Sequence, residues 1–234
     1  MPVAPISVLL IAFPGFNTLD LNGPLEILAN AALPTNTFAI TIAAEHEFTT
    51  AFENVVVKRH ISLGDARKRL EEYDILIQPG GGPDTIIPHL CESAELLEIL
   101  AAFAKLGPSP RPCAGERVIM SICTGALFCG YIGVFDGLQA TTHHLALDQL
   151  KQVCGEYVAR TPGAKGTDII QNSPPFKLRY VDAGYNTSNV RVISSGGISC
   201  GLDATLYLVS LRLGKDAALS VASMMEYNWQ EATR

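Results

Sequence analysis

The sequence predicts an α/β fold: a mostly parallel central sheet with helices on both faces. Three observations carry this. Apolar runs of strand length alternate along the chain with stretches of helix length, the order expected of repeated β-α units. The strand candidates are near-continuous in Ile, Leu, Val and Ala, as in Ile6–Phe13, which suits strands buried on both faces. Glycine-rich or acidic turns follow the core strands at Leu19–Gly23, Gly80–Gly82, Cys123–Gly125 and Gly196–Gly197. In open α/β sheets, ligands bind beyond those carboxyl ends.

Each element follows in order. Ile6–Phe13 reads as the first strand and ends at Pro14. A loop over Pro14–Gly23 leads to Pro24, placed as the first-turn proline of a helix over Leu25–Ala32. Phe38–Ala44 is a second strand, Asn54–His60 an edge strand or hairpin arm, and Gly64–Glu72 a charged helix. Asp74–Gln78 is a third core strand running into the loop Pro79–Pro83. Ser93 is placed as the N-cap of a helix reaching Lys105, and Leu106–Glu116 as a proline-rich surface loop. Arg117–Ile122 is the fourth core strand, ending at Cys123, with a small-residue helix from Thr124. Beyond it come Gln139–Thr142, a helix near His144–Gln152, a polar segment Thr161–Pro175, and strands at Leu178–Val181 and Val190–Ser194. Ser195–Ser199 opens a helix to Leu213, and a last helix covers Asp216–Tyr227. There is no internal repeat and no linker, so one domain is expected over residues 1–234.

Composition narrows the function classes. Hydrophobic residues make up 48% and charged residues 17%, which favours a large buried sheet over a disordered chain. The formal net charge of −6, with no run of lysine or arginine forming a basic stripe, argues against a nucleic-acid partner. The run Ile6–Phe13 is too short to span a bilayer, and it lacks the basic flank and cleavage site of a signal peptide. A cytoplasmic location without membrane attachment is expected. The six cysteines then read as thiols, and none forms a C-x-x-C pair.

Cys123 carries the chemistry. It stands at the abrupt end of a core strand in Met120–Ala126, with a helix following it and Gly125 permitting a tight turn. That is the arrangement of a nucleophile elbow with sulfur as the nucleophile. A helix N-terminus there is expected to lower the thiol pKa. Spacing alone leaves a buried structural thiol as the alternative. The other five cysteines fall inside helices or on peripheral segments.

Five motifs in register resemble the DJ-1/PfpI superfamily: Leu19–Pro24, Gln78–Gly81, Ser121–Gly125, Ala140–His143 and Ser195–Ile198. They extend over nearly the whole chain. The resemblance implies a flavodoxin-like, glutamine amidotransferase class I-like sandwich and a homodimer. Within the superfamily, Asp20 in Leu-Asp-Leu-x-Gly-Pro and Thr124 directly after Cys123 resemble the isocyanide (isonitrile) hydratase branch. Other branches usually carry histidine after the cysteine or glutamate in the first loop. The resemblance makes Asp20 a general acid/base beside Cys123, with Thr124 a third catalytic residue offering an amide and a hydroxyl. From the residues alone, a loop aspartate capping the helix at Pro24 is the stronger reading of Asp20; the resemblance reverses that order. Glu26 is read as solvent-facing or as a partner of the helix dipole, with replacement of Asp20 as the acid the lesser alternative.

Gly81 and Gly82 are candidates to aim N–H groups at developing charge, and Gly196 and Gly197 to do so from the opposite side, beside Ile198. For each glycine a tight turn is the alternative. His143 is placed near the cysteine as a substrate-binding residue, and His144 is the weaker candidate. No metal-ligand spacing and no phosphate loop is present, so neither metal nor organic cofactor is expected. The expected partner is a small-molecule substrate. Three activities are weighed: isocyanide hydration through a Cys123 thioimidate; glyoxalase or deglycase chemistry on α-oxoaldehydes; and non-enzymatic redox sensing by an exposed, low-pKa thiolate. The long segments Thr161–Asn189 and Pro108–Gly115 are expected to reshape the pocket or a dimer face.

Overall fold

A computed structural model describes residues 4–32, 37–111, 115–171 and 178–231. A seven-stranded sheet runs through the middle. Its first strand, β1 (Ile6–Ala12), pairs in parallel with β2 (Phe38–Ala44) on one side and with β6 (Ile75–Gln78) on the other. Between them in the chain lie α1 (Thr18–Ala31), the hairpin β3 (Phe48–Thr50) and β4 (Val56–Lys58), the short edge strand β5 (Ile61–Ser62) and α2 (Leu63–Lys68). After β6 come α3 (Pro83–Glu92), α4 (Ala94–Phe103), β7 (Val118–Ser121), α5 (Ala126–Tyr131), β8 (Gln139–Ala140), α6 (Leu147–Arg160) and β9 (Asp168–Ile169). The chain closes with β10 (Tyr180–Tyr185), β11 (Arg191–Ser195), α7 (Cys200–Leu213) and α8 (Lys215–Met224).

The strand order is β10-β11-β7-β6-β1-β2-β5, and only β10 runs antiparallel. The α/β expectation therefore holds. From β1 the chain moves outward to β2 and then crosses back to β6. The order thus reverses between β1 and β6, where a crevice opens beyond the carboxyl ends. Helices α1, α7 and α8 pack together, and α2 to α6 form a second group. The central strands carry the core: Val8, Leu9, Leu10, Ile75–Ile77, Val118–Met120 and Ile193 are all buried. No helix among the described residues is long and apolar enough to cross a membrane.

Several boundaries differ from expectation, for local reasons. Helix α1 starts at Thr18, not after Pro24, because the Asn17 side chain accepts the N–H groups of Leu19 and Asp20 at 3.1 and 3.2 Å. Pro24 lies inside the helix and lacks the N–H that would reach the Asp20 carbonyl. Gly23 lets α1 approach α7: a Cβ there would lie 2.8 Å from Leu202 Cδ2. Helix α3 was not expected. Pro83 sits in its first turn, where a missing N–H costs nothing, and Pro88 is tolerated within it. Ser93 makes no capping bond from its side chain; its hydroxyl pairs with His89 Nδ1 at 2.9 Å.

Helix α6 begins at Leu147, after a 3₁₀ turn over His144–Ala146. The proline-rich loop lies at the amino ends of the strands, far from Cys123. There Arg117 holds the Gly107 and Pro108 carbonyls, and Ser109 and Arg111 bond to Asp74. Residues 112–114 and 172–177, within the two segments expected to reshape the site, lie outside the described residues.

Candidate active site

Strand β7 stops at Ser121, and Ile122 remains extended. At Cys123 the backbone swings to φ +55°, a left-handed conformation uncommon outside glycine. The turn is held from both sides: Cys123 N–H donates to Gly196 O at 3.1 Å, and Thr142 Oγ1 donates to Cys123 O at 2.8 Å. Gly125 is obligatory, since a Cβ there would sit 2.4 Å from Gln78 O and 2.7 Å from Pro79 O. The chain thus makes a sharp strand-to-helix turn at Cys123, a residue 4% exposed.

Asp20 meets it from α1. The carboxyl is fully buried, and Oδ2 accepts Gly80 N–H at 3.1 Å. The other oxygen, Oδ1, has no partner of hydrogen-bond geometry among the described residues, although the Cys123 thiol lies near enough to favour the carboxylate. Burial raises the Asp20 pKa from 3.8 to about 7; the Glu53 charge adds to the rise, while Gly80 N–H and the thiol oppose it.

The thiol is perturbed in the direction opposite to expectation. Burial, and then the neighbouring Asp20 charge, push Cys123 from 9.0 up to about 12, against the opposing backbone N–H groups of Ile198 and Thr124. The following helix, α5, is too short to reverse this. Asp20 is the more acidic partner, so at neutral pH the proton of the pair rests on sulfur. Burial on both sides separates the two groups into an acid and a base.

The glycines act differently from one another. Gly81 N–H is taken by Thr124 Oγ1 at 2.9 Å, and that hydroxyl also donates to Gly81 O. Phe16 and Gly81 form an antiparallel bridge. Gly196 donates its N–H to Arg179 O and spends its carbonyl on Cys123. Gly81 and Gly196 therefore offer no amide to a substrate. Gly197 allows close packing, because a Cβ would lie 2.0 Å from His143 Cδ2. The amides that do reach the sulfur belong to Thr124 and Ile198, and Ile198 is itself held at φ +44°.

A cavity of about 190 Å³ opens over the sulfur. Of the residues singled out from sequence, Cys123, Thr124, Gly81, Gly82, His143 and Ile198 line it. Gly196 and Gly197 lie behind it, and Asp20 sits beneath. His143 Nδ1 accepts Leu145 N–H at 3.2 Å, which leaves the proton on Nε2. Burial, and then His144, hold its pKa below the usual value, so the ring is neutral. Glu26 is exposed and accepts from Asn30 Nδ2, as expected of a solvent-facing residue.

Sequence reasoning missed Asn17, Phe52, Glu53, Leu145 and Ala146. Glu53 accepts from Asn17 Nδ2 at 2.6 Å, Thr18 N–H at 2.9 Å and Thr18 Oγ1 at 2.6 Å. Burial works against its charge, but these bonds outweigh it and hold the pKa below the usual range. One signal was available: Asn17 is a preferred N-cap residue. Phe52 and Glu53 reach the site through hairpin packing that no local pattern encodes.

A model of the DJ-1/PfpI family matches residues 6–180. The chain belongs to this family. The isonitrile hydratase of Pseudomonas putida is 28% identical over 225 residues, covering 92% of this chain and 75% of that protein. A THiJ/PfpI family protein from Pseudomonas syringae superposes with a TM-score of 0.69 at 21% identity, covering 97% of this chain and 77% of its own. Drosophila melanogaster DJ-1beta superposes with a TM-score of 0.70 at 18% identity, covering 97% of this chain and 100% of its own. The DJ-1/PfpI fold thus extends over the whole described sheet, including β11, beyond the matched residues.

Proposed function

We propose that this DJ-1/PfpI protein adds water to an isocyanide, R–NC, to give the N-formamide. The observation that carries the reading is the buried Asp20 carboxyl, with a pKa near 7, set against a protonated Cys123 thiol at the floor of a small cavity. The similarity to the Pseudomonas putida isonitrile hydratase supports the same reaction.

The sulfur attacks the terminal isocyanide carbon while its proton passes to Asp20. Asp20 then delivers that proton to the carbon, giving the thioimidate R–N=CH–S–Cys123. Water adds to that carbon: Asp20 takes one of its protons, and the nitrogen receives one. Collapse of R–NH–CH(OH)–S–Cys123 breaks the C–S bond, forms the formyl group and returns a proton to sulfur. Atoms balance as R–NC plus H₂O to R–NH–CHO. A base near pKa 7 suits both transfers at neutral pH, and the covalent step divides one difficult addition into two. The N–H groups of Ile198 and Thr124 steady the sulfur as it becomes anionic.

A buried, protonated thiol is a poor peroxide sensor, which counts against redox sensing as the main role. The same pair could add to an α-oxoaldehyde, so the test has two arms. Purified protein is given a panel of alkyl and aryl isocyanides, and separately methylglyoxal. Formamide from the first and no lactate from the second is the expected result. A protein inert to every isocyanide sinks the assignment.

A further inference from the structure

The cavity over Cys123 is poor in polar groups free to meet a substrate. Phe52, Leu145, Ala146 and Ile198 form its apolar wall. Most polar side-chain atoms around it are already engaged: Asn17 Nδ2 with Glu53, the Thr124 hydroxyl with Gly81, and His143 Nδ1 with Leu145 N–H, which leaves the neutral His143 Nε2–H as a donor toward the cavity. No lysine or arginine is among its described lining residues, and His143 is neutral. The two charges nearest the reacting atoms, Asp20 when ionised and Glu53, are both negative. An anionic substrate entering here would leave water without gaining a cation.

Size is limited as well. About 190 Å³ is only slightly more than the roughly 150 Å³ apolar cavity that accommodates benzene. The outer limit is set by the tip of the β3–β4 hairpin. Phe52 is 67% exposed, yet its place is fixed. Its N–H donates to Phe16 O at 2.8 Å, and Ala51 N–H closes the tip on Val55 O at 2.8 Å. Glu53 beside it is tied to the start of α1 by its bonds to Asn17 and Thr18. The ring lies over Gly82, where a Cβ would come within 3.1 Å of Phe52 Cδ2. The backbone at Phe52 is anchored, and its ring lies over Gly82 at the rim of the cavity, where it serves as a wall.

We propose that the site excludes anionic substrates and accepts those whose non-reacting part is one compact apolar group, no larger than about a single ring, and that Phe52 sets that limit. The reaction named in the proposal rests on isocyanide hydration at Cys123; the selection by size and charge does not.

The test measures two quantities on wild type and Phe52→Ala. One is kcat/KM for isocyanides bearing a short alkyl chain, a single ring, two fused rings, or a carboxylate with its methyl ester as control. The other is the rate of Cys123 alkylation by haloacetamides carrying the same groups. Wild type should prefer the one-ring over the two-ring compound by at least about tenfold, and the ester over the carboxylate by about a hundredfold. Phe52→Ala should erase most of the size preference and keep the charge preference. Equal rates for carboxylate and ester, or a size preference untouched in Phe52→Ala, would overturn the proposal. If no isocyanide turns over while alkylation follows the same order, the reaction assignment fails and the selectivity stands. If isocyanides turn over without discrimination, the reverse holds.

Discussion

Asp20→Asn keeps the shape of the buried side chain and removes its charge. The carboxamide oxygen of the variant can still accept the Gly80 N–H that Asp20 accepts at 3.1 Å. The native pKa of Asp20 is raised from 3.8 to about 7, so the folded protein holds this proton more tightly than the unfolded chain. The favourable contribution is fully present below about pH 3.8 and is lost as pH rises through about 7. At 1.36 kcal/mol per unit, the loss approaches about 4 kcal/mol. The variant has no such loss. Urea unfolding from pH 4 to 8.5 should show similar stabilities at the acid end and a variant more stable by up to about 4 kcal/mol at pH 8. The Cys123 pKa is raised from 9.0 to about 12, so its titration does not enter this window. Isocyanide turnover by the same variant should fall by about 10² to 10⁴. A stability difference that is flat in pH, or that grows in favour of wild type as pH rises, would refute the assignment of a raised pKa to Asp20.

Other expectations follow from the same contacts. The acid limb of kcat/KM against pH should sit near 7 in wild type, and Glu53→Gln should move it to lower pH, because the Glu53 charge raises the Asp20 pKa; a pH–rate profile checks both. Gly125→Ala places a Cβ 2.4 Å from Gln78 O and should cost about 3 kcal/mol or more in urea unfolding. Thr124→Val leaves Gly81 N–H and C=O without their hydroxyl partner and should cost about 1 to 3 kcal/mol, measured the same way. Arg179→Ala strips the buried Asp203 of its ion pair, a loss of about 3 to 5 kcal/mol. Asp203 also holds Tyr227 and the Gln230 N–H, so limited proteolysis of that variant should cut first near the C-terminal tail.

What the sequence revealed depended on whether the deciding physics was local. Ile6–Ala12 was legible as a core strand because burial on both faces leaves a continuous apolar run. The elbow was legible because Cys123 sits where a strand ends and Gly125 follows. The start of α1 was misplaced because Pro24 has the signature of a first-turn residue, while the Asn17 cap that opens the helix was missed. Helix α3 was missed because Pro83 and Pro88 resemble helix breakers, while one opens the helix and the other is absorbed within it. The ionisation of Cys123 was expected from a helix dipole. Burial and the Asp20 charge outweigh that dipole, and neither depth nor neighbour is written in a seven-residue motif. Phe52 and Glu53 come from a hairpin remote in sequence, so their part in the site appears only once the chain is folded.

The central claim is that Cys123 and Asp20 hydrate an isocyanide through a sulfur-bound intermediate. Its most direct test is the initial rate of formamide production from one single-ring isocyanide at about pH 7.5, near the optimum expected of a base with a pKa close to neutral, wild type beside Cys123→Ala. The account predicts steady formamide formation by wild type and only the uncatalysed rate in the variant. Equal rates from the two proteins would contradict it.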